Sequence, residues 1–270
     1  MCSSDLKIMI KLIATDMDGT WLNDKKSYDV DLFLREFKIM QERNIKFVVA
    51  SGNQHQNLLT RFPKVAEKIY FVAEDGALVA KGRQVLHYDA LSDHDWSVML
   101  KLTQQYPQKA VVSGLVSAYV REKDGQAYAK DLKKYFEKLT VVKDFDHLND
   151  NIFKLTFNMP EKDMPDMLTK LRRAHPEIGF VSGGADSIDI STKGMNKAVG
   201  LKYLGKRFGI ESREMVAFGD SGNDVGMLKY AGRGYATGTA LPSAKTAANQ
   251  IIGSSNDSSV QKEIWHLLNN

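Results

Sequence analysis

Residues 11–20 read Lys-Leu-Ile-Ala-Thr-Asp-Met-Asp-Gly-Thr (KLIATDMDGT), and this stretch decides the fold. Its first half is a continuous apolar run of strand length with no alternation. Strands buried on both faces of a helix-covered parallel sheet have that pattern. Its second half places Asp16 and Asp18 two positions apart, so both carboxylates project toward one pocket while the chain stays extended. Gly19 permits a sharp turn away from that pocket. Open parallel sheets bind ligands at the carboxyl ends of their strands, which is where this turn falls. Read alone, the five residues also suit a solvated acidic turn.

Working outward, residues 46–50 (KFVVA), 70–73 (YFVA) and 215–219 (MVAFG) repeat the buried-strand pattern. Between the first two strands, residues 31–43 carry Leu32, Leu34, Phe37, Ile39 and Met40 at mostly helical spacing. Strand, helix, strand is the crossover unit of a parallel sheet. The middle of the chain, residues 85–186, reads differently. Strands over 110–112, 117–120 and 152–158 mix there with helices over 131–139 and 163–174, as in an inserted α+β module. The α/β pattern resumes with a helix over 196–208 stopped by Gly209, the strand at 215–219, a helix over 224–231 and a strand over 234–237.

Composition narrows the function classes. The 270 residues are 43% hydrophobic and 26% charged, which excludes a disordered or collagen-like chain and suggests about two domains. There is no apolar run of roughly 18 residues to span a membrane. Asp5 and the lack of a cleavage pattern argue against a secretory signal. A single cysteine, Cys2, fits a reducing compartment, so the cytoplasm is expected. The net charge of +4 is dispersed among acids, leaving no stripe for nucleic acid. The six histidines show no metal-ligand spacing and no GxxxxGK[ST] loop is present, so a zinc hydrolase and a P-loop kinase are both disfavoured.

Three further stretches join Asp16 and Asp18. Gly219-Asp220-Ser221-Gly222-Asn223-Asp224 follows an apolar strand directly, although Asp224 alone could simply cap the next helix. The two acidic loops meet only if their strands are neighbours. Ser51-Gly52-Asn53 ends the strand at 46–50 with a hydroxyl and a glycine amide suited to an anionic oxygen, and is also ordinary turn composition. Lys197 opens an amphipathic helix, where a cation gains meaning if an anion sits before that helix end.

Taken in order, these four motifs resemble the haloacid dehalogenase (HAD) superfamily of phosphotransferases, over the whole chain. The insert resembles the α+β, type IIB cap of its Cof-type subfamily. The stretches at 48–54 (VVASGNQ), 71–77 (FVAEDGA), 117–120 (SAYV) and 142–144 (VKD) are similar to the broad-specificity sugar phosphatases of that subfamily. Asn53 stands where many members carry Arg but where that sugar phosphatase group also has Asn, and Asp75 stands where Asn is common. The resemblance implies an α/β fold: a Rossmann-like parallel-sheet core over 8–83 and 188–270, an inserted cap over 84–187, and an N-terminal extension over 1–7. Chain crossings near Lys81-Gly82 and Ser187 would form the hinge.

It also implies roles. Asp16 is the nucleophile that becomes an aspartyl-phosphate, and Asp18 the general acid and base. Mg²⁺ is held by Asp16, the Asp18 carbonyl and Asp220, with Ser221 and Asp224 acting nearby. Met17, Ser51, Gly52, Lys197 and Asn223 bind the phosphoryl group. Small phosphorylated metabolites, sugar phosphates above all, are the expected substrates, with no nucleic acid, membrane or obligate protein partner. Ser182, Gly183, Gly184, Ala185, Asp186 and Ser187, with Asn53 and Gln54, form a polar rim for the sugar. Asp189 and Asp186 could accept its hydroxyls or serve the hinge. A sugar phosphomutase of the same superfamily, a phospho-Asp receiver and a phosphate-binding module are the alternatives; the insert and the acid at position 18 speak against a receiver.

Overall fold

The computed structural model describes residues 9–184 and 186–270. The proposed extension over 1–7, with Cys2, and the rim residue Ala185 lie outside them. Along the chain run β1 (Leu12–Thr15), α1 (Val30–Glu42), β2 (Lys46–Ala50), α2 (His55–Arg61), β3 (Tyr70–Ala73), β4 (Leu78–Lys81) and β5 (Gln84–Tyr88). Then come α3 (Asp93–Gln105), β6 (Lys109–Gly114), β7 (Ala118–Arg121), α4 (Gln126–Leu132), β8 (Leu139–Val142), β9 (Ile152–Asn158), α5 (Met164–Ala174), β10 (Ile178–Ser182) and β11 (Ser187–Thr192). The chain ends with α6 (Lys197–Phe208), β12 (Met215–Gly219), α7 (Val225–Tyr230), β13 (Arg233–Ala236), α8 (Pro242–Ala247), β14 (Gln250–Ile251) and α9 (Ser259–Asn269). Two compact units result: one holds the chain up to Ala50 with Gly200–Asn270, the other Ser51–Val199.

In the first unit, five parallel strands stand in the order β14-β13-β12-β1-β2. Leu12, Ile13 and Ala14 are fully buried, as the continuous apolar run requires. α1 starts where the Asp29 carboxylate accepts from the Leu32 N–H at 2.9 Å, an N-cap worth about 1 kcal/mol. Its buried face carries Phe33, Phe37 and Met40. Phe33 meets Trp21 edge-on at 5.2 Å and Phe47 at 5.0 Å between ring centres. Burying each such ring contributes about 1.5–3 kcal/mol, so this cluster fixes α1 upon the sheet and the Asp16 loop beside it.

In the second unit, β3, β4 and β5 form an antiparallel run. A separate six-stranded sheet has the order β10-β11-β9-β6-β7-β8 and is antiparallel except between β7 and β8. Side chains alternate across a strand. Leu155, Phe157, Ile188 and Ile190 therefore pack with Met99 and Leu102 of α3 and Leu171 of α5. Lys154, Thr156 and Asp189 lie on the opposite face, and all three are buried.

The helix expected over 131–139 is corrected. α4 begins earlier, at Gln126 after Gly125 (φ +95°), and stops at Leu132. Leu139 instead opens β8, paired with Ala118. Leu132 and Phe136 do pack on Val111 and Val120, so the apolar spacing was a true burial signal with the wrong local geometry. The strand at 152–158 and the helix ending at Ala174 fall where the pattern puts them. Among the described residues no helix is long and apolar enough to cross a membrane.

Candidate active site

β1 and β12 are parallel neighbours with Thr15 opposite Phe218, so the two acidic loops leave the sheet at the same carboxyl end of the strands. The Asp16 N–H donates to the Phe218 carbonyl at 3.0 Å. One carboxylate oxygen each from Asp16, Asp220 and Asp224 lie within 4.8 Å of one another. Close approach depends on Gly19, whose φ is +80° and where a Cβ would stand 2.5 Å from Asp220 Oδ2. The Thr20 hydroxyl donates to Asp220 Oδ1 at 3.1 Å. Asp224 Oδ2 accepts from the N–H groups of Asp220 (2.9 Å) and Ser221 (3.0 Å). The Ser221 hydroxyl lies 3.3 Å from the same oxygen and 2.6 Å from Asn223 Oδ1. Asp224 thus fastens the loop that carries Asp220.

Asp18 is partly exposed and its Oδ1 lies 2.6 Å from Lys26 Nζ. Met17 is fully buried and its carbonyl closes the turn by accepting from Leu22 N–H at 2.8 Å. Carboxylates gathered this closely repel one another unless a cation sits among them. Their hard oxygens suit Mg²⁺, so the donor set fits that ion.

Ser51, Gly52 and Lys197 belong to the second unit. The Ser51 N–H donates to Val72 O (2.9 Å), and Asp75 N–H donates to Ser51 O (3.1 Å). Ser51 Oγ accepts from Asn53 N–H at 3.1 Å. The segment behind this loop is strained: Glu74, Asp75 and Gly76 have φ of +50°, +56° and +108°. The first two each cost on the order of 1–3 kcal/mol. Gly76 backs onto the start of α6, where a Cβ would lie 2.2 Å from the Asn196 carbonyl oxygen. Asn196 caps that helix, its Oδ1 accepting from Ala198 N–H at 2.9 Å, and Lys197 follows fully buried.

Lys154 was not singled out from the sequence, yet it ties this region together. Its ammonium donates to the Gly52 carbonyl (2.7 Å), Asp75 Oδ2 (2.9 Å) and Asp189 Oδ2 (3.0 Å), with Glu74 Oε2 at 3.7 Å. Burial opposes ionisation of Asp75, but Lys154 and Lys197 outweigh it and hold the carboxyl well below its usual range. Burial pushes Glu74 up to about 7 against the pull of Lys154. Asp189 is likewise raised by burial, with Lys154 opposing. Burial disfavours the Lys154 ammonium, and the three carboxylates more than restore it. The available signal was a lysine interrupting the apolar run Ile-Phe-Lys-Leu-Thr-Phe.

The remaining expected rim residues belong to this unit, and Gly183 lies against Asp189 and Ser187. Gln54 is buried, and its amide pairs with both backbone groups of Lys138 at 3.0 and 3.1 Å. Gly184 and Asp186 are exposed in the β10–β11 connection, where the Asp186 carbonyl accepts from Met159 N–H. Asp189 faces Lys154 and the Thr156 hydroxyl, the latter at 2.6 Å.

A parallel α/β sheet with carboxylates converging at two neighbouring strand ends is a frame for hydrolysis of anionic substrates. Residues 13–264 match the haloacid dehalogenase-like hydrolase family, and the chain belongs to that family. It is 38% identical over 249 residues, 92% of each chain, to the 5-amino-6-(5-phospho-D-ribitylamino)uracil phosphatase YbjI of Escherichia coli. Among solved structures, SMU.1108c from Streptococcus mutans superposes with a TM-score of 0.89 at 36% identity, covering 97% of this chain and 100% of that one. The subclass IIB sugar phosphatase BT4131 shares the fold, with a TM-score of 0.81 at 19% identity over 95% and 98% of the two chains. The protein is a phosphatase, a phosphoric monoester hydrolase.

Proposed function

We propose that the chain is a Mg²⁺-dependent phosphatase of small sugar phosphates, working through an aspartyl-phosphate on Asp16. The convergence of the Asp16, Asp220 and Asp224 carboxylates carries this reading. Asp16, the Asp18 carbonyl and Asp220 would hold Mg²⁺, with Ser221 and Asp224 orienting that loop. The ion supplies charge that offsets the repulsion between a carboxylate and a phosphate dianion.

Asp16 attacks phosphorus through a carboxylate oxygen, and the bond to the sugar oxygen breaks. Asp18 donates a proton to that departing oxygen. It then takes a proton from water, whose oxygen attacks the phosphorus and returns Asp16 as a carboxylate. Ser51, the Met17 and Gly52 amides, Asn223 and Lys197 hold the phosphoryl oxygens. Residues 84–187 form the substrate-recognising cap, and 8–83 with 188–270 the catalytic core. Asn53, Gln54, Gly184, Asp186 and Asp189 are the proposed specificity set; the contacts of Gln54 and Asp189 make their effect indirect.

Similarity to a phosphatase acting on a phosphorylated ribitylamino compound supports a polyhydroxylated, singly phosphorylated substrate. Phosphate release is the test, across hexose and pentose phosphates, 5-amino-6-(5-phospho-D-ribitylamino)uracil and phosphopeptides, with Mg²⁺ and with EDTA. The sugar phosphates should be cleaved with loose selectivity, and only with Mg²⁺. Exclusive cleavage of the ribitylaminouracil phosphate would replace the sugar reading, and efficient phosphopeptide cleavage would end both. Recovery of an isomeric sugar phosphate in place of free sugar would make the enzyme a mutase.

A further inference from the structure

Lys154 is 4% exposed in the middle of β9, on the sheet face away from α3 and α5. A lysine buried this deeply loses several kcal/mol of hydration, which only well-made contacts restore. Charge neutralisation does not account for the contacts it makes. Three carboxylates surround one ammonium, and its shortest bond goes to an uncharged backbone oxygen, Gly52 O at 2.7 Å.

That oxygen belongs to the peptide whose N–H, on Asn53, donates to Ser51 Oγ at 3.1 Å. A peptide is planar, so fixing its carbonyl fixes its N–H. With one Ser51 lone pair taken by that N–H, the hydroxyl proton is left to donate to a ligand oxygen. The second partner, Asp75, has its carboxylate packed on Gly52, where a Cβ would stand 2.9 Å from its Oδ1. It stands in a left-handed backbone that persists only when its surroundings impose it. Lys154 on one side and the Gly76–Asn196 approach on the other are those surroundings. Asp189 and Thr156, paired across β9 and β11, hold Lys154 in turn.

We propose that Lys154 is a positioning residue of the phosphate site: it fixes the Gly52–Asn53 peptide behind Ser51 and the Asp75 carboxylate packed on Gly52. The proposal rests on reading Ser51 and Lys197 as phosphate ligands. It gives a buried lysine of the recognition sheet control over phosphoryl binding without contact with substrate.

Two variants test it. Lys154→Arg keeps the charge among the three acids and loses the point contact with Gly52. The double variant Lys154→Met/Asp189→Asn removes one cation and one anion together. Each is assayed with p-nitrophenyl phosphate, which offers no sugar hydroxyls, with inorganic phosphate as competitive inhibitor, and by thermal unfolding. In variants that melt within a few degrees of wild type, phosphate Ki should rise and kcat/KM should fall by about tenfold or more. A folded variant of either kind with both values within twofold of wild type overturns the proposal. Ser51→Ala and Lys197→Met separate the two levels. If these two leave phosphate Ki unchanged, the reading of the phosphate ligands is wrong. If they raise it and the Lys154 variants do not, only the positioning role fails.

Discussion

The two units orient their carboxylates by different means. In the first, Asp224 is fastened by two backbone N–H groups and a serine hydroxyl, and Asp220 by a threonine hydroxyl. Neutral donors of this kind fix the direction of a carboxylate without supplying a charge of their own. In the second unit Asp75, Asp189 and Glu74 share the built-in ammonium of Lys154. Their charge is spent internally, and what they supply is position. The two groups of carboxylates thus differ in the kind of donor that orients them.

The same isosteric change should therefore act differently in the two places. Asp16→Asn removes the nucleophile, and kcat should fall by at least about 10³-fold, or ~4 kcal/mol in the barrier, with circular dichroism and melting temperature preserved. Asp75→Asn should instead lower stability by about 1.5–3 kcal/mol, because a charged bond to Lys154 is lost. Retention of more than about a tenth of kcat by Asp16→Asn, a barrier change of only ~1.4 kcal/mol, would end the nucleophile assignment. A larger stability loss at Asp16 than at Asp75 would break the comparison itself.

Metal removal sharpens the contrast next. EDTA should abolish turnover, and Ca²⁺ in place of Mg²⁺ should lower it, since the larger ion accepts more oxygens and a looser geometry. Mg²⁺ should also stabilise the fold by about 2.7 kcal/mol at about a hundred times its dissociation constant, read as a higher melting temperature. Asp220→Asn should lose most of that increment, while Asp189→Asn should keep it. Equal increments in the two variants would show that the ion does not discriminate between the groups.

A smaller effect is expected at Asp224, which holds the loop through amides. Asp224→Asn leaves one oxygen to accept where several donors converge, so kcat/KM should fall by about 10–100-fold. A fall as deep as that of Asp16→Asn would move Asp224 from support into the chemistry.

The difference between the units also explains what was legible in the sequence. The first unit's site comes from contiguous motifs at strand ends, Asp16 to Thr20 and Gly219 to Asp224, whose buried strands announce themselves as apolar runs. Only the adjacency of β1 and β12 had to be supplied by the fold. In the second unit, Glu74, Asp75, Lys154 and Asp189 come from a loop and two strands far apart in the chain. No local period marks such a meeting. Asp75 was visible as an unusual residue, but its partner was not. The helix expected over 131–139 failed for a related reason: Leu132, Phe136 and Leu139 have the right spacing for one face, and long-range pairing of Leu139 with Ala118 overrode it.

One carboxylate follows neither pattern and gives the mildest test. Glu36 lies on the buried face of α1, is 0% exposed, and has no hydrogen-bond partner among the described residues. Burial pushes its pKa up to about 9, Asp29 adding to the rise and Arg35 opposing it. Glu74, equally buried but with Lys154 nearby, rises only to about 7. A folded pKa above the unfolded one means that the native state holds a proton the unfolded chain releases. The stability this group contributes is complete below about pH 4.3, its ordinary value, and is lost as the pH rises toward 9. Glu36→Gln keeps the shape and cannot ionise, so it should match wild type near pH 4.5. At pH 8 it should be the more stable by on the order of 2 kcal/mol, a few degrees in melting temperature, with kcat unchanged. A Glu36→Gln advantage that stays constant across that range would mean that Glu36 is charged in the fold, and so held by a cation or donor as the other acids are.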